Sequence, residues 1–376
     1  MDSTGHIQEQ NSANAAQQQQ SGAMSPGQAC VQDQPFVSVI IPVYNARDCI
    51  QGCLARLLGQ TIESMEVLCV DDCSTYDTIE FIEAVMKFDS RVRLVRHEAN
   101  QGPGAARNTG ISQAKGRFIA FLDADDHFGS DTYLERLYKA ALDNGVQAAA
   151  SSFRNEYMWG KYLDDFTEST FYWGYTFKEN GVISFVDYQF DYGFHRFIFA
   201  RDLFADGANR FPQLRFFEDP VFLVRILQQA GSFYGCADEF YCYSCDYRRE
   251  HWTTQKALDF MEGVRLNLVF SRERGLACLH WVTAFRLDWE YDRMGVGVNP
   301  DLDLAALEAK LQQLEQELDA DLRAKGGPTQ DAATFCLRGS IEEAQGGKSV
   351  RSLLSKAKHG LVFSRAWFYL RPYLRG

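Results

Sequence analysis

Three carboxylates stand together in the run FIAFLDADDHF over residues 118–128: Asp123, Asp125 and Asp126. The apolar residues Phe118 to Leu122 read as a buried strand, so the acids fall at its C-terminal end. Carboxylates crowded in this way repel one another unless a cation sits among them. A hard divalent ion such as Mg²⁺ or Mn²⁺ takes oxygen ligands of this kind, typically one or two carboxylates plus the phosphates of a substrate. An acidic turn after a strand is the plain alternative, and Asp-x-Asp alone does not choose between them.

The elements around the acids favour the ligand-binding reading. VSVIIPVYN (37–45) is a second apolar, β-branched run, broken at Pro42, Tyr44 and Asn45. MEVLCVDDCST (65–75) is a third and ends in Asp71 and Asp72. RVRLVRH (91–97) is a fourth, followed by the Gly-rich turn of NQGPGAARNTGI (100–111). Helical patterns over 46–60, 77–88, 104–115 and 130–144 lie between them. This alternation predicts an α/β chain of right-handed βαβ units with a parallel sheet. Ligands of such sheets bind beyond the carboxyl ends of the strands. Tyr44, Asp72 and Asp123 to Asp126 all fall there.

On these residues, the segment 37–135 resembles the donor-binding half of a family 2 glycosyltransferase with the GT-A fold. The matching features are Pro42-x-Tyr44-Asn45, Gln60-Thr61, Glu66 leading into Val70-Asp-Asp-x-Ser-Thr75, Asn100-x-Gly102, Ala106-Arg107-Asn108-x-Gly110 and Leu122-Asp-x-Asp-Asp126. RFPQLRFFEDPVF (210–222) is similar to a second family block, Phe-Pro followed by Glu-Asp, here Glu218-Asp219. The resemblance covers about the first two thirds of the chain.

It implies a Rossmann-like, mostly parallel sheet flanked by helices over 35–254. Residues 35–135 would bind donor and metal, and 136–254 would hold the acceptor and the catalytic base. The implied reaction is inverting transfer of a single sugar from a nucleotide-diphospho-sugar, a UDP-sugar by its base contact, to a glycan or lipid-linked acceptor. The setting it implies is cell-surface polysaccharide synthesis. In-line displacement of this kind requires a cation for the leaving pyrophosphate, a base for the acceptor hydroxyl and positioning of both substrates.

By resemblance, Asp125 is the direct ligand of Mg²⁺ or Mn²⁺, and Asp123 contacts the ribose or supports the metal. Pro42, Tyr44 and Asn45 border the donor, with Tyr44 on the face of the base. Asp72 accepts from a uracil-type base, or else caps the following helix. Arg107 touches phosphate or, being near the start of its helix, pairs with an acid on the surface. Asp219 takes the acceptor's proton, its pKa raised by burial beside Phe216, Phe217 and Phe222. Asp126 and Glu218 accompany these residues, and Arg249 and His251 in YRREHW (247–252) would reach the pyrophosphate or metal.

The chain departs from the family pattern in places. Cys73 stands where glycine is usual, implying a different turn or strain. Asp48 replaces the usual glutamate. Pro220 directly follows Asp219, which suits the first turn of a helix. YRREHW carries one extra residue. The absence of Gln-x-x-Arg-Trp argues against a processive synthase. Two other classes remain open: a nucleotidyltransferase, which would carry a basic Gly-rich signature after its first strand, and a non-catalytic nucleotide- or glycan-binding protein.

The formal net charge of −12 argues against nucleic acid as a partner. No apolar run approaches the roughly 20 residues of a membrane-spanning helix. Residues 1–34, with Gln17 to Gln20, read as a disordered polar tail without a signal peptide, implying a cytoplasmic protein. The ten cysteines form no framework. Cys242-x-x-Cys245 has zinc-like spacing, but with no second pair or spaced histidines it reads as reduced thiols. Tyr157, Trp159, Tyr162, Trp173, Tyr175, Tyr188, Tyr192 and Phe194 cluster before the presumed base, either packing in the core or facing sugar rings.

Beyond residue 255 the pattern is helical, predicting an appendage over 255–346. Leu304, Leu307, Leu311, Leu314, Leu318 and Leu322 form a stripe suited to packing within that appendage or to a dimer seam. The oligomeric state is not legible. The segment 347–376 is basic and aromatic, consistent with a helix on an anionic inner membrane face or one docked on the acidic body.

Overall fold

The computed structural model describes residues 34–75, 77–157, 161–163, 176–244, 251–280, 282–283, 286, 294 and 299–324. The tails at 1–33 and 325–376, with the basic aromatic segment, lie outside the described residues. So do Arg249, Cys245, Trp159, Trp173 and Tyr175.

The chain opens with β1 (Val37–Val43), α1 (Arg47–Leu58), β2 (Met65–Asp71), α2 (Thr78–Met86), β3 (Val92–Arg96), α3 (Pro103–Gln113) and β4 (Phe118–Phe121). Then follow β5 (His127–Phe128), α4 (Tyr133–Asp143), β6 (Ala148–Tyr157), β7 (Lys161–Leu163), β8 (Gly181–Ser184), a single turn α5 (Phe185–Tyr188) and β9 (Phe197–Ala200). The last elements are α6 (Glu218–Ala230), β10 (Ser232–Ser244), α7 (Thr254–Arg274) and α8 (Leu304–Ala324). Among the described residues, no helix is long and apolar enough to cross a membrane.

The strands form one sheet in the order β3-β2-β1-β4-β9-β6-β10-β5, with β7 on β6 and β8 on β10. β3, β2, β1 and β4 are parallel neighbours. β9 enters antiparallel between β4 and β6, and β6 runs parallel to β10. β1 and β2 are buried almost throughout, as the continuous Val/Ile/Leu runs of a sheet covered on both faces require. The pairing of Val43 with Asp71 ends β1 and β2 level, and that of Ile40 with Phe121 ends β4 beside them at the same edge, so that the chain beyond β4 runs on past Ile40 toward the other two ends.

Helix starts are set locally. α3 opens at Gly102, whose φ of +94° suits glycine, with Pro103 in the first turn. α6 opens on Glu218, Asp219 and Pro220, so acids meet the positive end of the helix dipole. The residue before it, Phe217, has a φ of +68°, a costly conformation for an aromatic residue. α7 presses on that kink. A Cβ at Gly263 would lie 2.6 Å from the Phe217 ring, so only glycine admits the contact.

A second apolar cluster joins α7 and α8 to the base of α6. Phe217 and Val221 meet Trp252, Phe260, Met261 and Val264, with Leu307 and Leu314 from α8. Those two leucines of the stripe pack inside the appendage. Of the aromatic residues before the base, Tyr188 and Phe194 are core, and Tyr192 is half-buried under Arg286, 4.8 Å from its ring. Cys49, Cys53, Cys69, Cys73, Cys236, Cys242 and Cys278 are unpaired thiols.

Cys73 keeps the backbone that glycine would favour, with a φ of +66°. A left-handed L-residue costs about 1–2 kcal/mol, part of which glycine's greater unfolded-state entropy would offset. Cys73→Gly is expected to stabilise the fold by about 0.5–1 kcal/mol, read as a higher urea midpoint at unchanged slope. A lower midpoint would show that the strain is not borne at this residue.

Candidate active site

A cleft of about 1190 Å³ opens over the carboxyl ends of β1, β2 and β4. Pro42, Tyr44, Asn45, Asp72, Arg107, Asp123, Asp125 and Asp126 all line it. The sheet brings them together: the Asp72 N–H donates to the Val43 carbonyl at 2.8 Å, and the Leu122 N–H to the Ile40 carbonyl at 3.0 Å. Tyr44 is 52% exposed on the cleft wall, so the face of its ring is open to a ligand in the cleft. Asn45 ties the first two strand ends together: its N–H donates to Ser74 Oγ at 3.0 Å, and its Oδ1 accepts from the Thr75 N–H at 2.9 Å.

The three acids at 123–126 have three different environments. Asp123 accepts from Arg107 Nη2 at 2.7 Å and faces His195 Nε2 at 3.2 Å. Burial would raise its pKa, but the charges of Arg107 and His195 outweigh burial and hold it well below the usual carboxylate range. Asp126 is buried, and its oxygens accept from Tyr241 Oη at 2.6 Å and the Ser244 N–H at 2.9 Å. Burial, then the charges of Asp123 and Asp125, push its pKa well up. Asp125 alone of the three is exposed to the cleft. A hard cation completed by phosphate oxygens and water suits one such carboxylate. Asp123 fits a ligand role less directly, because both its oxygens already face nitrogen donors.

Arg107 is buried, and neither of its sequence-based alternatives describes it fully. It pairs with acids, yet inside the protein: Nη2 reaches Asp123, Nη1 donates to Glu218 Oε1 at 3.0 Å, and the guanidinium lies 4.7 Å from the Phe194 ring centre. Burial opposes its charge, but Asp123 and Glu218 win and keep it firmly protonated. Asp219 follows Glu218 in the first turn of α6. Its pKa is pushed up to about 8 by burial and by the Glu218 charge, against the pull of Arg107 and Arg286. Glu218 is also raised, by burial, with Arg107 opposing.

Asp72 caps no helix, since α2 begins at Thr78 after Asp77. Its Oδ2 accepts from the Gly102 N–H at 2.7 Å, and its Oδ1 from the Gln101 N–H at 2.9 Å, with His97 Nδ1 2.8 Å away. It therefore pins the loop entering α3 to the end of β2. His251 is exposed, 3.0 Å from Asp301, and is not part of the cleft wall.

Several members of this constellation carry no sequence signal. His195 sits in an aromatic run without a motif, and its Nδ1 is buried without a partner. Tyr241 and Ser244 reach Asp126 from more than 100 residues away. His97, at the end of β3, could have been found by the strand-end logic that found Asp72.

The glycosyl transferase family 2 model matches residues 38–205. A Bacillus subtilis glycosyltransferase named for teichuronic acid biosynthesis is 41% identical over 104 residues, 28% of this chain and 41% of that protein. A Rhizobium meliloti succinoglycan biosynthesis protein is 34% identical over 203 residues, 52% of this chain and 57% of that one. The chain thus covers about half the length of these relatives, or less. Staphylococcus aureus TarS 1–349, solved with UDP-GlcNAc, superposes with a TM-score of 0.57 at 20% identity, over 83% of this chain and 92% of that one. That likeness establishes a shared fold, the GT-A arrangement expected from the sequence.

The raised carboxyl of Asp219 has a thermodynamic signature. An acid whose folded pKa exceeds its unfolded value, ordinarily about 3.9, contributes stability that is fully present below that value and is lost as pH rises through about 8. Between about pH 4.5 and 8.5, wild-type stability is expected to fall relative to Asp219→Asn, whose amide does not titrate. Urea midpoints across that range check it, and parallel curves would refute the upward shift of this carboxyl.

Proposed function

Because residues 38–205 belong to the family 2 glycosyltransferases, we propose that the chain is an inverting, metal-dependent transferase. It moves one sugar from a UDP-sugar to a glycan or lipid-linked acceptor of a cell-surface polysaccharide. The observation that carries this reading is the division of labour among the acids. Asp125 alone of the 123–126 acids is exposed to the cleft, while Asp219 stands across the Arg107 bridge with a pKa near 8. The UDP-GlcNAc complex of S. aureus TarS supports a UDP-sugar as donor. Relatives named for teichuronic acid and succinoglycan biosynthesis support the acceptor class.

In this reading Tyr44 covers the face of the base. Asp72 shapes the base-binding wall through the 100–102 loop that it holds. Asp125 holds Mg²⁺ or Mn²⁺, whose charge offsets that of the leaving diphosphate. Asp123, fixed by Arg107 and His195, presents a permanently ionised edge to the donor ribose. Asp219 accepts the proton of the attacking hydroxyl, and its raised pKa makes it a stronger base than an ordinary carboxylate.

The test is a donor screen that follows nucleoside diphosphate release from a panel of nucleotide sugars with Mn²⁺ or Mg²⁺. Release from one donor, lost in Asp125→Ala and on chelation, is expected. Asp219→Asn is expected to lower acceptor-dependent turnover at least about 100-fold while leaving donor affinity within a few-fold. Silence across the panel, with no nucleotide bound, would overturn the reading.

A further inference from the structure

A second group of ligand-type side chains meets at the rim of the cleft, outside the roles assigned above. His127 Nε2 lies 3.0 Å from Glu156 Oε2. The ligand atoms of His127, Glu156 and Cys242 all fall within 4.8 Å of one another. His127 and Glu156 line the cleft, and Cys242 is buried beneath them.

The sheet explains why they meet. His127 and Cys242 are direct cross-strand partners in the antiparallel β5–β10 pair. Glu156 of β6 is paired with Ser244, two residues along β10 from Cys242 and so on the same face. Neighbours at such positions stand roughly 5–8 Å apart at Cβ, within reach of these side chains. The trio is thus fixed by register and not by sequence spacing, which is why Cys242-x-x-Cys245 alone gave no sign of it.

We propose that His127, Glu156 and Cys242 form a zinc-binding site, separate from the Asp125 site, with a fourth position open to water or to a ligand in the cleft. A nitrogen, a carboxylate oxygen and a sulfur suit borderline Zn²⁺ and not Mg²⁺ or Mn²⁺, which favour oxygen donors. Ligand atoms of a formed tetrahedral site are roughly 3.3–3.8 Å apart, so closure from the present spacing needs only side-chain rotation. Arg56, on the cleft wall, and Arg154, stacked 3.9 Å from the Phe240 ring centre, add positive charge nearby. Zn²⁺ with one thiolate and one carboxylate is neutral, so these arginines do not oppose it. A catalytic thiol is the weaker reading, because a thiol buried among apolar strands is a poor nucleophile.

The zinc would fasten the ends of β5, β6 and β10. These strand ends flank Asp126 and its partners Tyr241 and Ser244, and so steady the acidic motif.

Full-length protein stripped with EDTA and titrated with Zn²⁺ and Co²⁺ tests this. One equivalent of Zn²⁺ should bind, raise the melting temperature, and be replaced by Co²⁺ with a thiolate-to-metal band in the near ultraviolet. Cys242→Ser should abolish the band and weaken Zn²⁺ binding at least about 10-fold, Glu156→Gln should weaken it similarly, and Asp125→Ala should leave it unchanged. Circular dichroism reports whether the variants fold. Should Cys242→Ser fail to fold, the wild-type Co²⁺ spectrum and Glu156→Gln decide. No bound zinc, a Co²⁺ spectrum without the thiolate band, or a folded Cys242→Ser that binds like wild type would overturn the site. Zinc occupancy is read without sugar transfer, so this proposal and the transferase reading fail independently.

Discussion

The Arg107 guanidinium lies buried between Asp123, just beyond β4, and Glu218, at the first residue of α6, with Phe194 and Phe211 against its faces. One cation thereby joins two parts of the chain that are 111 residues apart in sequence, Arg107 itself and Glu218. Taking a guanidinium out of water is tolerable only with such partners, and removing one member of a buried ion pair typically costs about 3–5 kcal/mol. The bridge therefore fixes the distance between the acidic motif over the sheet and the Glu218-Asp219 pair. The aromatic packing around it and the Phe217 kink braced by Gly263 serve the same placement.

The same bridge sets the chemistry of the acids. Five carboxylates close to one another would ordinarily titrate as a repelling group. Here Arg107 and His195 hold Asp123 ionised, Tyr241 and the Ser244 N–H enclose Asp126, and Asp219 is left raised by burial and by Glu218. Asp125 alone faces the cleft from the 123–126 cluster. Pairs of titratable groups pushed to opposite sides of neutrality are the usual mark of an acid–base site.

Much of this was legible in the sequence, because the first half of the chain is built from local signals. The apolar runs at 37–43, 65–71, 92–96 and 118–121 became β1 to β4, and Tyr44, Asp72 and Asp123 to Asp126, beyond the ends of β1, β2 and β4, met in one cleft. Cys73 kept glycine's backbone despite its side chain. What stayed hidden depends on strand order. The antiparallel entry of β9 between β4 and β6 places His195 beside Asp123, and the β5–β10–β6 register assembles His127, Cys242 and Glu156. Periodicity cannot reveal which distant strands become neighbours. Asp72 shows the converse case: its position was readable, but its hydrogen bonds to Gln101 and Gly102 came only with the loop.

The most direct measurement is a double-mutant cycle of Arg107→Met and Glu218→Gln, read as the rate of nucleoside diphosphate release from the preferred donor. If the buried bridge positions the site, the second substitution should cost little once the first is made, giving a coupling of at least about 1 kcal/mol. Additive losses would contradict it and show that Arg107 and Glu218 act on the donor separately.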